Sequence, residues 1–272
     1  MEPAKGSFTA SDGAGFFTLT IAAENPRYEL LHVHGVGEHS GRWIERLTQL
    51  AARGARVTTF DLRGHGQSEG PRMHIDDFED FTSDVAEIAL ETAAASGLPW
   101  VLYGHSIGGL ISAGYLIDRR VPTPNLAVLS APALGDGTPA VKRAAAKILG
   151  KIAPSMTMKT PIAGDQLSRD SKVGEAYEAD PLVQQFGSVG LGRAVFAEQA
   201  RLASRTGEIT IPTLVIHGAD DTLVPTAASA PLAQSVSVDR KVYPGLRHEL
   251  HFEPEGAQVI GDIADWIDRK LS

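Results

Sequence analysis

The chain has 272 residues, 43% of them hydrophobic and 21% charged, enough to bury a full core in one large domain or two modest ones. It contains no cysteine, which excludes disulfides, thiolate metal sites and a cysteine nucleophile and fits a reducing compartment. A formal net charge of −8 disfavours nucleic acid as a partner. The first residues, MEPAKGSFTASDGAG, lack the apolar core of a signal peptide, and no apolar run of ~18 residues offers a membrane span, so a cytoplasmic location is expected.

Short apolar runs alternate with longer helical patterns, which predicts α/β units around a mostly parallel sheet flanked by helices. Phe16 to Ala22 and Glu29 to Val33 read as strands separated by a turn at Glu24-Asn25-Pro26. Further strands are expected at Arg56 to Phe60, Trp100 to Tyr103, Ala127 to Leu129, Thr213 to Ile216 and Lys241 to Tyr243. Several are apolar throughout, as strands covered on both faces are. Phe81 to Ala95, Leu110 to Arg119 and Ala257 to Leu271 carry helical periodicity. Between residues 135 and 207 the rhythm breaks: helical pieces are interrupted by Pro139, Pro154, Pro161 and Pro181, and no strand is evident. The expected organisation is a core of residues 1–134 and 208–272 with a helical cap of residues 135–207 inserted into it.

The strongest local signal is Gly104-His105-Ser106-Ile107-Gly108, placed between the apolar strand ending at Tyr103 and the helix beginning near Leu110. A serine on a sharp strand-to-helix turn needs glycines beside it, because the turn strains the backbone and leaves no room for side chains. A hydroxyl needs a base, and the base needs an orienting acid; for this arrangement the chain order is Ser, acid, His. His217, His248 and His251 are the available bases downstream, and Asp220 and Asp221 the competing acids in the loop after Leu214-Val215-Ile216. Asp221 is favoured as the acid and His248, just past the last strand, as the base, with His217 shaping its own loop and Asp220 capping the loop backbone. Two backbone N–H groups must face the developing oxyanion. Ile107, next to the nucleophile, supplies one, and His34-Gly35-Val36-Gly37 the other through Val36.

With these segments in view, the chain resembles the monoacylglycerol lipase family of α/β-hydrolases. The resemblance rests on His34 to Arg42, Phe60-Asp61-Leu62-Arg63-Gly64-His65-Gly66-Gln67-Ser68, the serine turn, Asp180-Pro181-Leu182, His217 to Pro225, and Tyr243-Pro244-Gly245 running into His248-Glu249-Leu250. It implies an α/β-hydrolase fold with the cap inserted before the acid-bearing strand, and cleavage of monoacylglycerols to fatty acid and glycerol without metal or cofactor. It also implies that Glu38, Arg42 and His251 hold the glycerol head group; a carboxylate, a guanidinium and an imidazole together suit a polyol. An esterase or lysophospholipase using the same groups, or a binding protein that kept the fold without catalysis, are the alternatives.

In the cap, Val141, Ala144, Ala145, Ile148, Leu149 and Ile152 recur at helical spacing, with Lys142, Arg143, Lys147 and Lys151 between them and no acidic residue from Gly137 to Gly164. This pattern suits either transient contact of helix 141–152 with an anionic membrane, and so a peripherally associated protein, or a cap helix whose apolar face packs on the core.

Overall fold

The computed structural model describes residues 1–272 except Pro161; that proline, expected among those that interrupt the cap, lies outside the described residues. Eight strands form the main sheet: β1 (Ala4–Thr9), β2 (Gly15–Ala22), β3 (Tyr28–Val33), β4 (Ala55–Phe60), β5 (Trp100–His105), β6 (Leu126–Ser130), β9 (Thr213–Gly218) and β10 (Val238–Tyr243). Their order is β1-β2-β4-β3-β5-β6-β9-β10. The run from β4 to β10 is parallel, and only β1–β2 and β2–β4 pair antiparallel.

The helices are α1 (Ile44–Ala52), α2 (Glu79–Glu91), α3 (Ile107–Ile117), α4 (Ala140–Ile152), α5 (Gly164–Leu167), α6 (Ser171–Ala179), α7 (Val189–Leu202) and α8 (Gly256–Leu271). Alternate residues of the central strands feed two cores. Leu30, Val57, Val101 and Ile216 pack with Leu47 and Leu50 of α1 and with Val259, Ile263 and Ile267 of α8. Leu31, Leu102, Leu129 and Val215 pack with Val85 and Ile88 of α2 and Leu110 and Ile111 of α3. Both faces of the sheet are therefore covered, which is why β3, β5 and β6 are buried along their whole length.

Four elements depart from expectation. β1 is an edge strand, exposed along nearly its whole length, so it carries no apolar alternation to announce it. The stretch between β6 and β9 contains two short strands, β7 (Thr157–Lys159) and β8 (Phe186–Ser188), paired antiparallel. Helix α1 also goes beyond the expected set. Within the 135–207 stretch, α4 lies against α7: Arg143, Ala146 and Gly150, at i, i+3 and i+7, are its only positions that are not exposed between Ala140 and Gly150. The Arg143 guanidinium reaches Gln199 at 2.7 Å and lies over the Phe196 ring, 4.5 Å from its centroid.

Candidate active site

Strand β5 delivers Ser106 at its C-terminal end, where φ is 55° and ψ is −116°. Such a backbone is strained for a residue with a Cβ and persists only where its surroundings enforce it. The enforcement comes from close approach: a Cβ on Gly104 would meet the carbonyl of Gly108, and one on Gly108 would meet the carbonyl of Val33. Helix α3 begins directly after Ser106, with Ile107 as its first residue.

The loop after β9 delivers Asp221, and the loop after β10 delivers His248. His248 Nε2 lies 3.0 Å from Ser106 Oγ, and His248 Nδ1 lies 2.7 Å from Asp221 Oδ2. Asp221 is fully engaged. Its Oδ1 accepts from the backbone N–H groups of Leu223 and Val224, both at 2.9 Å, and its Oδ2 also faces His217 Nε2 at 3.2 Å. His217 donates from the same nitrogen to the Val224 carbonyl at 2.7 Å, which fixes its tautomer. Asp221 thus orients His248 and closes its own loop at once. Asp220, expected to do the latter, is exposed and makes no side-chain hydrogen bond among the described residues.

Charge follows this geometry. Burial alone would push the His248 imidazole down, but the Asp221 charge and hydrogen bond outweigh it and raise its pKa above the ordinary 6.5. Burial would raise the Asp221 carboxyl, yet the His248 charge and the hydrogen bonds from His217, His248 and Val224 bring it below the usual carboxylate range. His105, buried beside them with Nδ1 3.1 Å from Ser130 Oγ, is driven well below 6.5 by burial and by the neighbouring histidines, and stays neutral.

The oxyanion candidates come together here. Neither the Val36 nor the Ile107 N–H donates to any partner among the described residues. The Val36 N–H is held by its own peptide. Leu62 N–H donates to His34 Nε2 at 2.9 Å, so the proton sits on Nδ1, which donates to the Gly35 carbonyl at 2.7 Å. In a trans peptide the C=O and N–H point opposite ways, so binding the Gly35 carbonyl turns the Val36 N–H away from His34. Burial lowers the His34 pKa to about 4, so this single tautomer holds at neutral pH.

The cavity at Ser106 holds about 20 Å³ and is lined by Gly35, Val36, Glu38, His105, Ser106, Ile162, Leu167, Tyr177, Leu223, His248 and Glu249. That volume accommodates about one water. Ile162, Leu167 and Tyr177 close it from the 135–207 side, and Leu167 accepts a hydrogen bond from the Glu249 N–H at 2.8 Å. A larger open groove of about 390 Å³ lies between Asp76–Glu79 and α7, lined mostly by carboxylates and arginines and by no histidine or serine.

Of the head-group residues, Glu38 lines the cavity, while Arg42 and His251 do not. Arg42 lies behind Glu38, and His251 is fully buried a layer deeper, on the Trp43 ring at 4.9 Å between centroids and hydrogen-bonded to the Tyr103 hydroxyl. Burial lowers the His251 pKa to about 3. The cavity also has two polar members that the sequence pattern did not single out. Glu249 pairs with Arg42, and the buried Tyr177 hydroxyl has no partner among the described residues. Glu38, His105 and Glu249 bring potential ligand atoms within 4.8 Å of one another, with the two carboxylates already paired with Arg42 and each of their oxygens accepting at least one hydrogen bond from Gly35, Arg42 or Trp43.

Residues 24–255 match the family model described as Serine aminopeptidase, S33 (Hydrolase_4). The chain is 38% identical over 252 residues to a monoacylglycerol lipase of Mycolicibacterium smegmatis, covering 89% of each. It is 32% identical to the human monoglyceride lipase, covering 91% of this chain and 84% of that one. The crystal structure of a monoacylglycerol lipase from Paleococcus ferrophilus superposes with a TM-score of 0.84 at 29% identity, covering 99% of this chain and 100% of the other. The chain belongs to this family. It is a hydrolase of the α/β-hydrolase fold, with the family match spanning β3 to β10 of the main sheet and the 135–207 stretch.

Proposed function

We propose that the enzyme hydrolyses monoacylglycerols to fatty acid and glycerol through an acyl-enzyme on Ser106, and the unbroken relay from Asp221 through His248 to Ser106 Oγ carries the reading. With Nδ1–H donated to Asp221, His248 presents its Nε2 lone pair to the serine. Nε2 takes the hydroxyl proton as Oγ attacks the ester carbonyl, and the Val36 and Ile107 N–H groups receive the oxyanion. His248 then gives that proton to the departing glycerol oxygen. Water attacks the acyl-enzyme, its proton passes to Nε2, and Ser106 regains it as the fatty acid leaves. Among the described residues, Glu38 Oε1 and both Glu249 oxygens each accept only one hydrogen bond and keep a lone pair, and the Tyr177 hydroxyl has no partner. Together they offer a polyol acceptors and a donor. Rates measured side by side on a monoacylglycerol, a lysophospholipid and a short aryl ester test the substrate. An enzyme that prefers either of the last two overturns the monoacylglycerol reading, and intact protein that resists a fluorophosphonate probe overturns the mechanism.

Residues 135–207 act as a cap that must move, because a cavity of about 20 Å³ admits no acyl chain. The cap also supplies the lipid contact. On α4 the body-facing positions Arg143, Ala146 and Gly150 lie opposite Val141, Ile148 and Ile152, which are 75%, 59% and 75% exposed. Lys142, Lys147 and Lys151 flank this face, and Met156, Met158 and Phe186 are further exposed apolar residues between β6 and β9. No helix among the described residues is long and apolar enough to cross a membrane. A peripheral landing on anionic lipid from the cytoplasmic side fits this face. Co-sedimentation with anionic vesicles that fades in high salt is expected; equal binding to neutral and anionic vesicles at all salt concentrations refutes it.

A further inference from the structure

Arg42 sits at the centre of a chain of charge-assisted hydrogen bonds that spans the site. Its guanidinium lies 2.6 Å from Glu38 Oε2 and grips both oxygens of Glu249 at 2.7 and 2.9 Å. Glu38 reaches on to the Gly35 N–H at 2.6 Å, one residue before Val36, and also accepts from Trp43 Nε1 at 2.9 Å. At the other end, Glu249 follows His248 directly in sequence. The side chains of Arg42, Glu38 and Glu249 are only 8%, 3% and 3% exposed. The Tyr177 and Phe252 rings lie against the guanidinium at 4.8 and 5.2 Å.

We propose that Arg42 is a positioning residue that clamps the oxyanion loop to the loop carrying the base, setting the Val36 N–H and the His248 imidazole at a fixed separation. The proposal rests on the hydrolase reading above. A head-group role for Arg42 would need its donors turned toward the cavity; instead they are spent on the two carboxylates, and Arg42 is absent from the cavity wall. Separating either carboxylate from the guanidinium would leave a buried charge without its partner, so the two loops move together or not at all. Lysine cannot substitute, because a single ammonium lacks the planar fork that holds Glu249 through two bonds while reaching Glu38.

The experiment compares Arg42→Lys and Glu249→Gln with the unsubstituted enzyme on a monoacylglycerol and on the ethyl ester of the same fatty acid. The rate of fluorophosphonate labelling of Ser106 is followed well below each melting temperature. The clamp predicts that Arg42→Lys lowers kcat and the labelling rate about tenfold, since small misplacements of reacting groups are expensive. KM should stay within about twofold, with the same loss on both esters. Glu249→Gln preserves shape and one acceptor for Arg42, so it should fold and fall between the two. A loss confined to the glycerol ester would assign Arg42 to the head group and overturn the clamp. A lower melting temperature with an unchanged labelling rate would reduce it to a structural salt bridge and overturn it equally. Unsubstituted enzyme inert to both esters and to the probe overturns the hydrolase reading and the clamp with it, whereas an active enzyme whose variants match it overturns the clamp alone.

Discussion

Replacing Asp221 by asparagine tests the relay at its least replaceable point. The carboxylate accepts from four donors: Leu223 and Val224 N–H on Oδ1, and His217 Nε2–H and His248 Nδ1–H on Oδ2. An amide offers one oxygen and one NH₂, so two of the four must lose their acceptor. If the NH₂ faced Leu223 and Val224, two buried donors would confront another donor, at a cost of about 1–3 kcal/mol each. If it faces the histidines, His217 keeps the Val224 carbonyl and only His248 must change. The second orientation is the cheaper, so the fold survives with about 1–3 kcal/mol lost. Its chemical consequence is severe. Facing an NH₂, His248 Nδ1 must become an acceptor, which puts the proton on Nε2 and leaves no lone pair for Ser106. The corresponding substitution in a serine protease lowers kcat by ~10⁴, about 5 kcal/mol of barrier, and a loss of that order is expected here. Steady-state kinetics on an ester, urea denaturation and ¹⁵N imidazole shifts report rate, stability and tautomer separately. A variant within about tenfold of the parent rate would refute the relay, as would a large rate loss with His248 still protonated on Nδ1.

Three further outcomes follow from the same geometry. The base must be neutral to act, and the raised His248 pKa places the acid limb of kcat/KM at a midpoint above 6.5, with activity lost as the pH falls through it; a midpoint below 6.5 in a pH–rate profile contradicts the assignment. His34→Phe keeps the bulk but frees the Gly35–Val36 peptide to rotate, and kcat should fall by up to ~10²–10³, the scale of one lost oxyanion donor, with little change in KM. It should also cost about 1–3 kcal/mol in chemical denaturation, because the buried Leu62 N–H loses its acceptor. The double substitution Ile148→Glu with Ile152→Glu should leave the melting temperature nearly unchanged, since both side chains face solvent. It should abolish vesicle binding, and a melting temperature that drops by several degrees would mean that this face is packed after all.

Much of the site was legible because its chemistry is local. Gly104 to Gly108 encodes its own turn, and the loops after β9 and β10 announce themselves by strand followed by glycine and histidine. The rest depended on distance or direction. Arg42 and Glu249 are 207 positions apart, and no periodicity links them. His251 sits two residues after Glu249 and shares its histidine chemistry with the base, yet the chain turns it onto Trp43 and Tyr103, into a layer that the spacing cannot reveal. The strands β7 and β8 are three residues each, too short to show alternation.

Helix α4 shows most clearly where pattern stops and structure begins. Its sequence declares an apolar face and a cationic one, but a stripe alone does not say whether it points inward. The deciding residue is Gly150, the one buried position of the helix, whose missing side chain lets α4 settle on Arg193 of α7. Once that side is down, the opposite apolar side has to face solvent. The aliphatic side of α4 is then left exposed, while the cavity at Ser106 holds only about 20 Å³. A soluble ester would gain nothing from such an arrangement. On the proposed membrane reading a lipid would, because a surface that costs free energy in water is satisfied at a bilayer.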